Sequence, residues 1–319
     1  MRALVWHGDT RIDWESVPDP LLAEGEVVLE VELAGICGSD LHAYRGNPGP
    51  RSPPLILGHE AVGSVADREG RYTVFPLVTC GRCRMCLSER ENLCEQRHLL
   101  GLDLPGVFAS RVAVRADALL PVPNGLDPRI AVLVEPLAAS LSAWRIDGIS
   151  AGDSVLVVGG GPIGLLAVYL GAQRGARVAC VEPVAERRAL AERLGATQVL
   201  AATSEVGAGQ ADFAIDAVGV EATWRAAIKS VHSGGSVALV GLGQAEGAMP
   251  VADLVRRGVN VRGHYAYTRR DFGDALALLA QSPPPLDWLT VMDLAQGADG
   301  FRRLVEEPAS VTKVLLATR

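Results

Sequence analysis

Ser154-Val155-Leu156-Val157-Val158-Gly159-Gly160-Gly161-Pro162-Ile163-Gly164 is the stretch that decides the fold. Five residues of continuous apolar or small character predict a strand covered on both faces, as in a parallel sheet. A glycine-rich turn follows, and from Gly164 to Arg174 the residues Leu165, Val168 and Ala172 recur at helical spacing. The turn fits G-x-G-x-x-G in the context that gives that pattern meaning, directly after a strand and opening a helix. Gly159 makes the tight turn, Gly161 lets a pyrophosphate approach the backbone, and Gly164 permits close helix–strand packing. Free N–H groups at this glycine turn and the positive end of the helix dipole then favour phosphate there, which makes the turn residues Gly159, Gly161, Pro162 and Gly164 candidate cofactor contacts. A glycine-rich turn without ligand is the plainer alternative.

Outward from this turn, strand and helix alternate. Arg177–Val181, a helix over 185–194, and strands at 198–200, 212–215 and 236–240 predict βαβ units and a parallel sheet. Glu182 ends the second strand, eighteen positions after Gly164. A carboxylate there accepts hydrogen bonds from ribose hydroxyls and repels a 2′-phosphate, which favours NAD over NADP. Arg187 and Arg188 follow, and either can instead welcome that phosphate, stack on adenine or sit on a solvated helix face.

Before residue 150 the texture differs. Leu29, Val31 and Leu33 alternate with Glu30 and Glu32, and Val112 and Val114 alternate with charged neighbours, the period-2 signature of strands with one wet face. Proline and glycine punctuate this region, as expected for short strands of a barrel or sandwich. Beyond residue 265, helices over 270–280 and near 298–306 and a last strand over 311–316 are predicted. At 319 residues the chain exceeds what one core organises, so the reading is α/β with two domains. The predicted boundaries are 1–137, 138–264, and a return segment 265–319.

Composition narrows the function. A net charge of −7 provides no basic footprint for nucleic acid. No apolar run approaches the roughly 18–20 residues that cross a bilayer, and the N-terminus turns polar at Gly8-Asp9-Thr10, so a cytoplasmic protein is expected.

Four of the six cysteines fall in one stretch, Cys80-x2-Cys83-x2-Cys86-x7-Cys94. Four thiolates within fifteen residues suit a closed tetrahedral zinc site, a structural staple over about 80–94, with an iron–sulfur cluster as the rival. A second, dispersed group comprises Cys37, His59, Glu60 and Glu135. One thiolate, one imidazole and one or two carboxylates can bind zinc and leave a position for water or substrate. Taken singly, each of these residues has an ordinary structural explanation.

Gly58-His59-Glu60, the four-cysteine lobe, Val134-Glu135-Pro136-Leu137 and the glycine turn occur in one order, and across the whole chain they resemble the zinc-dependent medium-chain dehydrogenase/reductase family. The likeness is to its polyol and threonine dehydrogenase branches. It implies a GroES-like β-barrel catalytic domain beside a Rossmann domain, and two zinc ions per chain. Cys37, His59 and Glu60 would be catalytic zinc ligands, with Glu135 an alternating ligand or water-mediated partner. Ser39 and His42 would form a proton relay. Ile163, Glu182, Arg187, Val240-Gly241-Leu242 and His264-Tyr265 would contact NAD, with NADP the alternative. The implied activity is hydride transfer between a secondary alcohol or polyol and its ketone, in a homodimer or homotetramer. An NADPH-dependent aldehyde or ketone reductase and a non-catalytic nucleotide-binding scaffold are the other readings. Trp144, Trp288 and Tyr265 are candidate pocket residues, each equally suited to core packing. Two segments depart from the family pattern. Only sixteen residues separate Gly63 from Cys80, with Arg71-Tyr72-Thr73-Val74 in place of Gly-Asp-Arg-Val, and Gly106-Val107-Phe108-Ala109-Ser110 replaces Gly-Gly-Phe-Ala-Glu.

Overall fold

The computed structural model describes residues 1–145 and 148–318. The chain divides into two compact units, Met1–Glu135 with Thr268–Arg319, and Pro136–Tyr267.

The second unit is a six-stranded parallel sheet. Its spatial order is Gln198–Leu200, Arg177–Val181, Ser154–Val158, Ala211–Asp216, Val231–Leu239, Asn260–Gly263. Numbered along the chain this is 3-2-1-4-5-6, the doubly wound order whose reversal beside the first strand creates a ligand crevice at the carboxyl ends. Val155 to Val158 are buried on both faces, and such side chains each contribute about 1.5–3 kcal/mol. The helix Pro162–Gln173 follows with proline in its first turn. A Cβ on Gly164 would lie 1.8 Å from the Gly159 carbonyl oxygen, so only glycine allows helix and turn to approach this closely. Gly159 holds φ +102°, the left-handed region that glycine enters without strain.

The first unit is built around the strand Glu26–Gly35, in which Leu29, Val31 and Leu33 are buried and Glu30 and Glu32 are not. It pairs antiparallel with Arg111–Arg115, Glu60–Ser64 and the final strand Lys313–Ala317. The turn after Ser64 is short, yet Tyr72–Val74 still pairs with 62–63 and with Leu119–Pro121, so the trimmed segment keeps its strand. One core spans these sheets, with Leu29, Leu57, Phe108, Phe301, Val314 and Leu316 nearly solvent-free.

Several elements lie outside the sequence reading. The strands Arg2–Trp6, Ile12–Ser16, Asn260–Gly263 and Leu289–Asp293 and the helices Val134–Arg145 and Glu221–Ser230 were not predicted; of these, Ile12–Ser16 alternates Ile12 and Trp14 with Asp13 and Glu15, and Glu221–Ser230 sets Trp224, Ala227 and Ile228 on one buried face. The strand expected at 236–240 begins at Val231, and the last strand runs Lys313–Ala317 rather than 311–316. Among the described residues no helix is long and apolar enough to cross a membrane.

Candidate metal centres and nucleotide site

Strand register assembles the first centre. Gly35 stands opposite Glu60 on one side and Leu315 on the other, so the strand ending at Gly35 separates Glu60 from the strand that begins with Lys313. Cys37 follows as the N-cap of the helix Gly38–Tyr44, and its N–H donates to Asp40 Oδ2 at 3.1 Å. The sulfur of Cys37, a ring nitrogen of His59 and a carboxylate oxygen of Glu60 lie within 4.8 Å of one another. Glu135 Oε1 stands 3.9 Å from His59 Nε2. His59, Glu60 and Glu135 are buried, while Cys37 is half-buried.

The electrostatics are those of a cation site. Burial alone pushes His59 down, but the charges of Cys37, Asp40 and Glu135 and a hydrogen bond with Cys37 outweigh it and carry the imidazole up to about 10. Asp40 Oδ1 and His59 Nδ1 are buried without a hydrogen-bond partner, 3.9 Å apart. A cation on Nε2 would fix the Nδ1–H tautomer and turn it toward Asp40, the carboxylate–histidine pairing that metal-bound imidazoles adopt. Thiolate, imidazole and carboxylate are the donor set of catalytic zinc, so the residues fit the metal.

Around this centre lie three charged groups that motif reading missed. Lys313 Nζ donates to Glu60 Oε1 and Oε2 at 2.6 and 2.5 Å and to the Ile36 carbonyl at 2.9 Å. Asp40 was legible only as the third residue after Cys37. Arg51 is buried, with Nε donating to the Gly101 carbonyl at 2.9 Å and Nη2 to Ser39 Oγ at 3.3 Å, and Nη2 is 3.6 Å from Asp40 Oδ1. The one local signal for Lys313 is a single charge within the apolar run Val311–Leu316. His42 is half-exposed on the helix after Cys37. Burial, and then Arg45 and Arg51, hold it below the ordinary imidazole range.

The second centre gathers Cys80, Cys83, Cys86 and Cys94, all free thiols. The sulfurs of Cys83 and Cys86 are 3.5 Å apart, as are those of Cys94 and Cys80, and those of Cys80 and Cys86 are 3.9 Å apart. Zinc–sulfur bonds of about 2.3 Å place tetrahedral ligands roughly 3.8 Å apart, so these sulfurs already stand at zinc-ligand separations. Backbone N–H groups of Arg82 and Cys83 bond the Cys80 sulfur and draw its pKa down to about 6, which favours the thiolate a metal needs.

In the second unit, Glu182 is buried and its carboxylate accepts from the Gly160 and Val184 N–H groups at 2.6 and 2.9 Å. It therefore ties the glycine turn to the second strand end, with lone pairs left for a ribose. Arg188 Nη1 donates to the Glu182 and Pro183 carbonyls, and Arg187 is half-buried on the same helix. Ile163 takes the Ser140 hydroxyl on its carbonyl. Val240 and Gly241 donate to the Asp216 carbonyl, Leu242 is 70% exposed, and His264 N–H donates to the Leu239 carbonyl, all at the carboxyl ends of the sheet. Trp144 is buried against Gly171, and Trp288 is buried with its indole N–H on the Pro285 carbonyl; both are packing residues.

Comparison with known proteins agrees with this architecture. Residues 23–124 match the alcohol dehydrogenase GroES-like domain and residues 162–281 match the zinc-binding dehydrogenase domain. The chain is 30% identical over 307 residues to an L-galactonate-5-dehydrogenase of Escherichia coli K12, spanning 91% of this chain and 90% of that one. Among solved structures, acetophenone reductase from Geotrichum candidum NBRC 4597 in complex with NAD is similar at TM-score 0.91 and 26% identity, covering 99% of this chain and 96% of the other. The 2R,3R-butanediol dehydrogenase from Bacillus subtilis is similar at TM-score 0.88 and 30% identity, covering 100% and 99%. The chain belongs to the zinc-type alcohol dehydrogenases, with a GroES-like catalytic domain and a Rossmann-type sheet. It is an oxidoreductase of that class.

Proposed function

We propose that the protein interconverts a secondary alcohol or polyol and its ketone, using NAD and two zinc ions. The observation that carries the reading is the convergence of half-buried Cys37 with buried His59 and Glu60, with Glu135 beside His59, in a chain that also holds a strand–glycine-turn–helix motif. Cys37, His59 and a carboxylate would hold the catalytic zinc, which when bound supplies a Lewis acid that makes an alcohol acidic near neutral pH. Asp40 orients His59, and Arg51, donating to Ser39 Oγ, fixes that hydroxyl beside Cys37 so that its own proton stays free to be passed on. His42, kept neutral near pH 7 by burial and the adjacent arginines, is suited to accept the proton that leaves. Nicotinamide supplies the hydride acceptor. The buried Glu182 carboxylate disfavours a 2′-phosphate and so supports NAD. Cys80, Cys83, Cys86 and Cys94 would hold the second, structural zinc. A polyol or diol substrate is supported by the named activities of the relatives, and a homodimer or homotetramer by the family resemblance.

The test is a panel of diols, polyols and sugar acids offered with NAD or NADP while reduced-cofactor absorbance is followed. Oxidation of at least one secondary alcohol with NAD is expected, and Glu182→Ala is expected to narrow the preference for NAD over NADP. Absence of cofactor reduction across the panel by zinc-loaded protein, with nucleotide still bound, would favour the scaffold reading.

A further inference from the structure

We propose that His7, Asp13 and Glu15 form a further metal site on the first hairpin, one that takes zinc or a similar divalent ion from solvent and clips the two strands together. The site is separate from both cysteine-bearing centres and rests on the reading of neither.

Hairpin register builds it. The strands Arg2–Trp6 and Ile12–Ser16 pair antiparallel, with Val5 opposite Asp13 and Ala3 opposite Glu15. Residues two apart share one face of a strand, so Asp13 and Glu15 project side by side. The ladder continues one residue past the first strand, where the His7 N–H donates to the Arg11 carbonyl at 2.9 Å, and this places His7 on the same face. The intervening turn is pinned. Arg11 N–H donates to the Gly8 carbonyl at 3.0 Å, and the Trp6 indole N–H to the Asp9 carbonyl at 2.8 Å. Little ordering is therefore left for an ion to impose.

The donor atoms converge. His7 Nε2 lies 2.5 Å from Glu15 Oε1 and 3.9 Å from Asp13 Oδ2, and one donor atom of each residue lies within 4.8 Å of the others. Zinc bonds of about 2.0–2.2 Å set tetrahedral ligands roughly 3.4 Å apart, so each of these distances needs to change by less than about 1 Å. One imidazole nitrogen with two carboxylate oxygens suits zinc and its first-row neighbours better than magnesium or calcium, which take oxygen ligands. Three protein ligands leave the fourth position to water. The side chains of His7, Asp13 and Glu15 are 24%, 42% and 36% exposed, so an ion can enter without opening the fold. The competitor is Arg11, whose Nε sits 2.8 Å from Asp13 Oδ2. Arg11 is itself 69% exposed, and an exposed pair of this kind is weak enough to yield to a divalent ion.

The test is calorimetric titration of zinc into holoenzyme first loaded with zinc and then dialysed against metal-free buffer, which empties an exposed three-ligand site and leaves tighter ones filled. One further zinc per chain is expected to bind. His7→Ala should abolish that event. Asp13→Asn and Glu15→Gln should each weaken it about tenfold or more, since a lost ligand costs at least what a lost outer-shell partner does. Arg11→Ala frees the Asp13 carboxylate and should tighten binding, a change opposite in sign to any general damage to the hairpin. His98→Ala is the control: His98 Nδ1 meets Asp103 Oδ2 at 2.6 Å in another exposed histidine–carboxylate pair, and its loss should leave the titration unchanged. Should His7→Ala fail to fold, Glu15→Gln and Arg11→Ala carry the same pair of opposed expectations. Absence of a further zinc in the wild type, its retention in His7→Ala, its loss in His98→Ala, or an Arg11→Ala protein that binds no more tightly than wild type overturns the proposal.

Discussion

Asp40 puts its two carboxylate oxygens to different uses, and the first centre depends on both. Oδ2 takes the Cys37 N–H and so sets the backbone that aims the thiol. Oδ1 stands between Arg51 Nη2 at 3.6 Å and His59 Nδ1 at 3.9 Å. Asp40→Asn keeps the shape but removes the charge that orients the imidazole. Metal affinity at the first centre is expected to fall about 10–100-fold, read by competition with a chelator, while the four-thiolate centre is unchanged. Asp40 and Ser39 sit inside the motif around Cys37 and were within reach of sequence reading. Arg51 was not, because its principal partner is the carbonyl of Gly101, fifty residues on. Lys313 was further still from reach: it meets Glu60 across 253 residues of chain, through a register that no local pattern encodes. What spacing displays are ligands; the charges that balance them are supplied by pairing across a sheet.

At the scale of single elements, caps and close approaches have separable costs. Asp127 is the N-cap of the helix Pro128–Val132, accepting from the Arg129 N–H at 2.8 Å while the Arg129 guanidinium closes on the same carboxylate. Asp127→Ala is expected to cost about 1 kcal/mol in urea unfolding at pH 7. The hydrogen bonds of the Arg129 side chain hold the Asp127 pKa below the usual carboxylate value. Its stabilisation is thus present above the unfolded-state pKa and is lost as pH falls through the lower folded-state one, so mutant and wild type should converge in acid. In the other unit, Gly164→Ala drives a Cβ into the Gly159 carbonyl. A loss of at least about 1–3 kcal/mol is expected, with nucleotide binding weakened alongside, by calorimetry and by fluorescence titration. The sheet around this glycine was the most legible part of the chain, because doubly covered strands write continuous apolar runs. The strand Arg2–Trp6 and the helix Val134–Arg145 were not, since Ala3 to Trp6 are all buried and the helix is buried over most of its surface, which blurs both the period of two and the period of 3.6.

Over the whole molecule, the two candidate metal centres have opposite surroundings though both lie in the first unit. Cys94 is fully buried and its three partners half-buried in a lobe with little apolar core of its own, where zinc would supply much of the folding energy. Cys94→Ser should lower the melting temperature. The first centre sits instead on strands pinned by an extensive core and by the Lys313–Glu60 pair, so losing its metal should leave the melting temperature nearly unchanged. Cys37→Ser is the direct test of that division. Zinc per chain by mass spectrometry of metals, measured beside NAD-dependent alcohol oxidation and the melting curve, is expected to fall from two to one, with turnover abolished and the fold intact. A Cys37→Ser protein that keeps both zinc ions and oxidises alcohol at the wild-type rate would contradict the account.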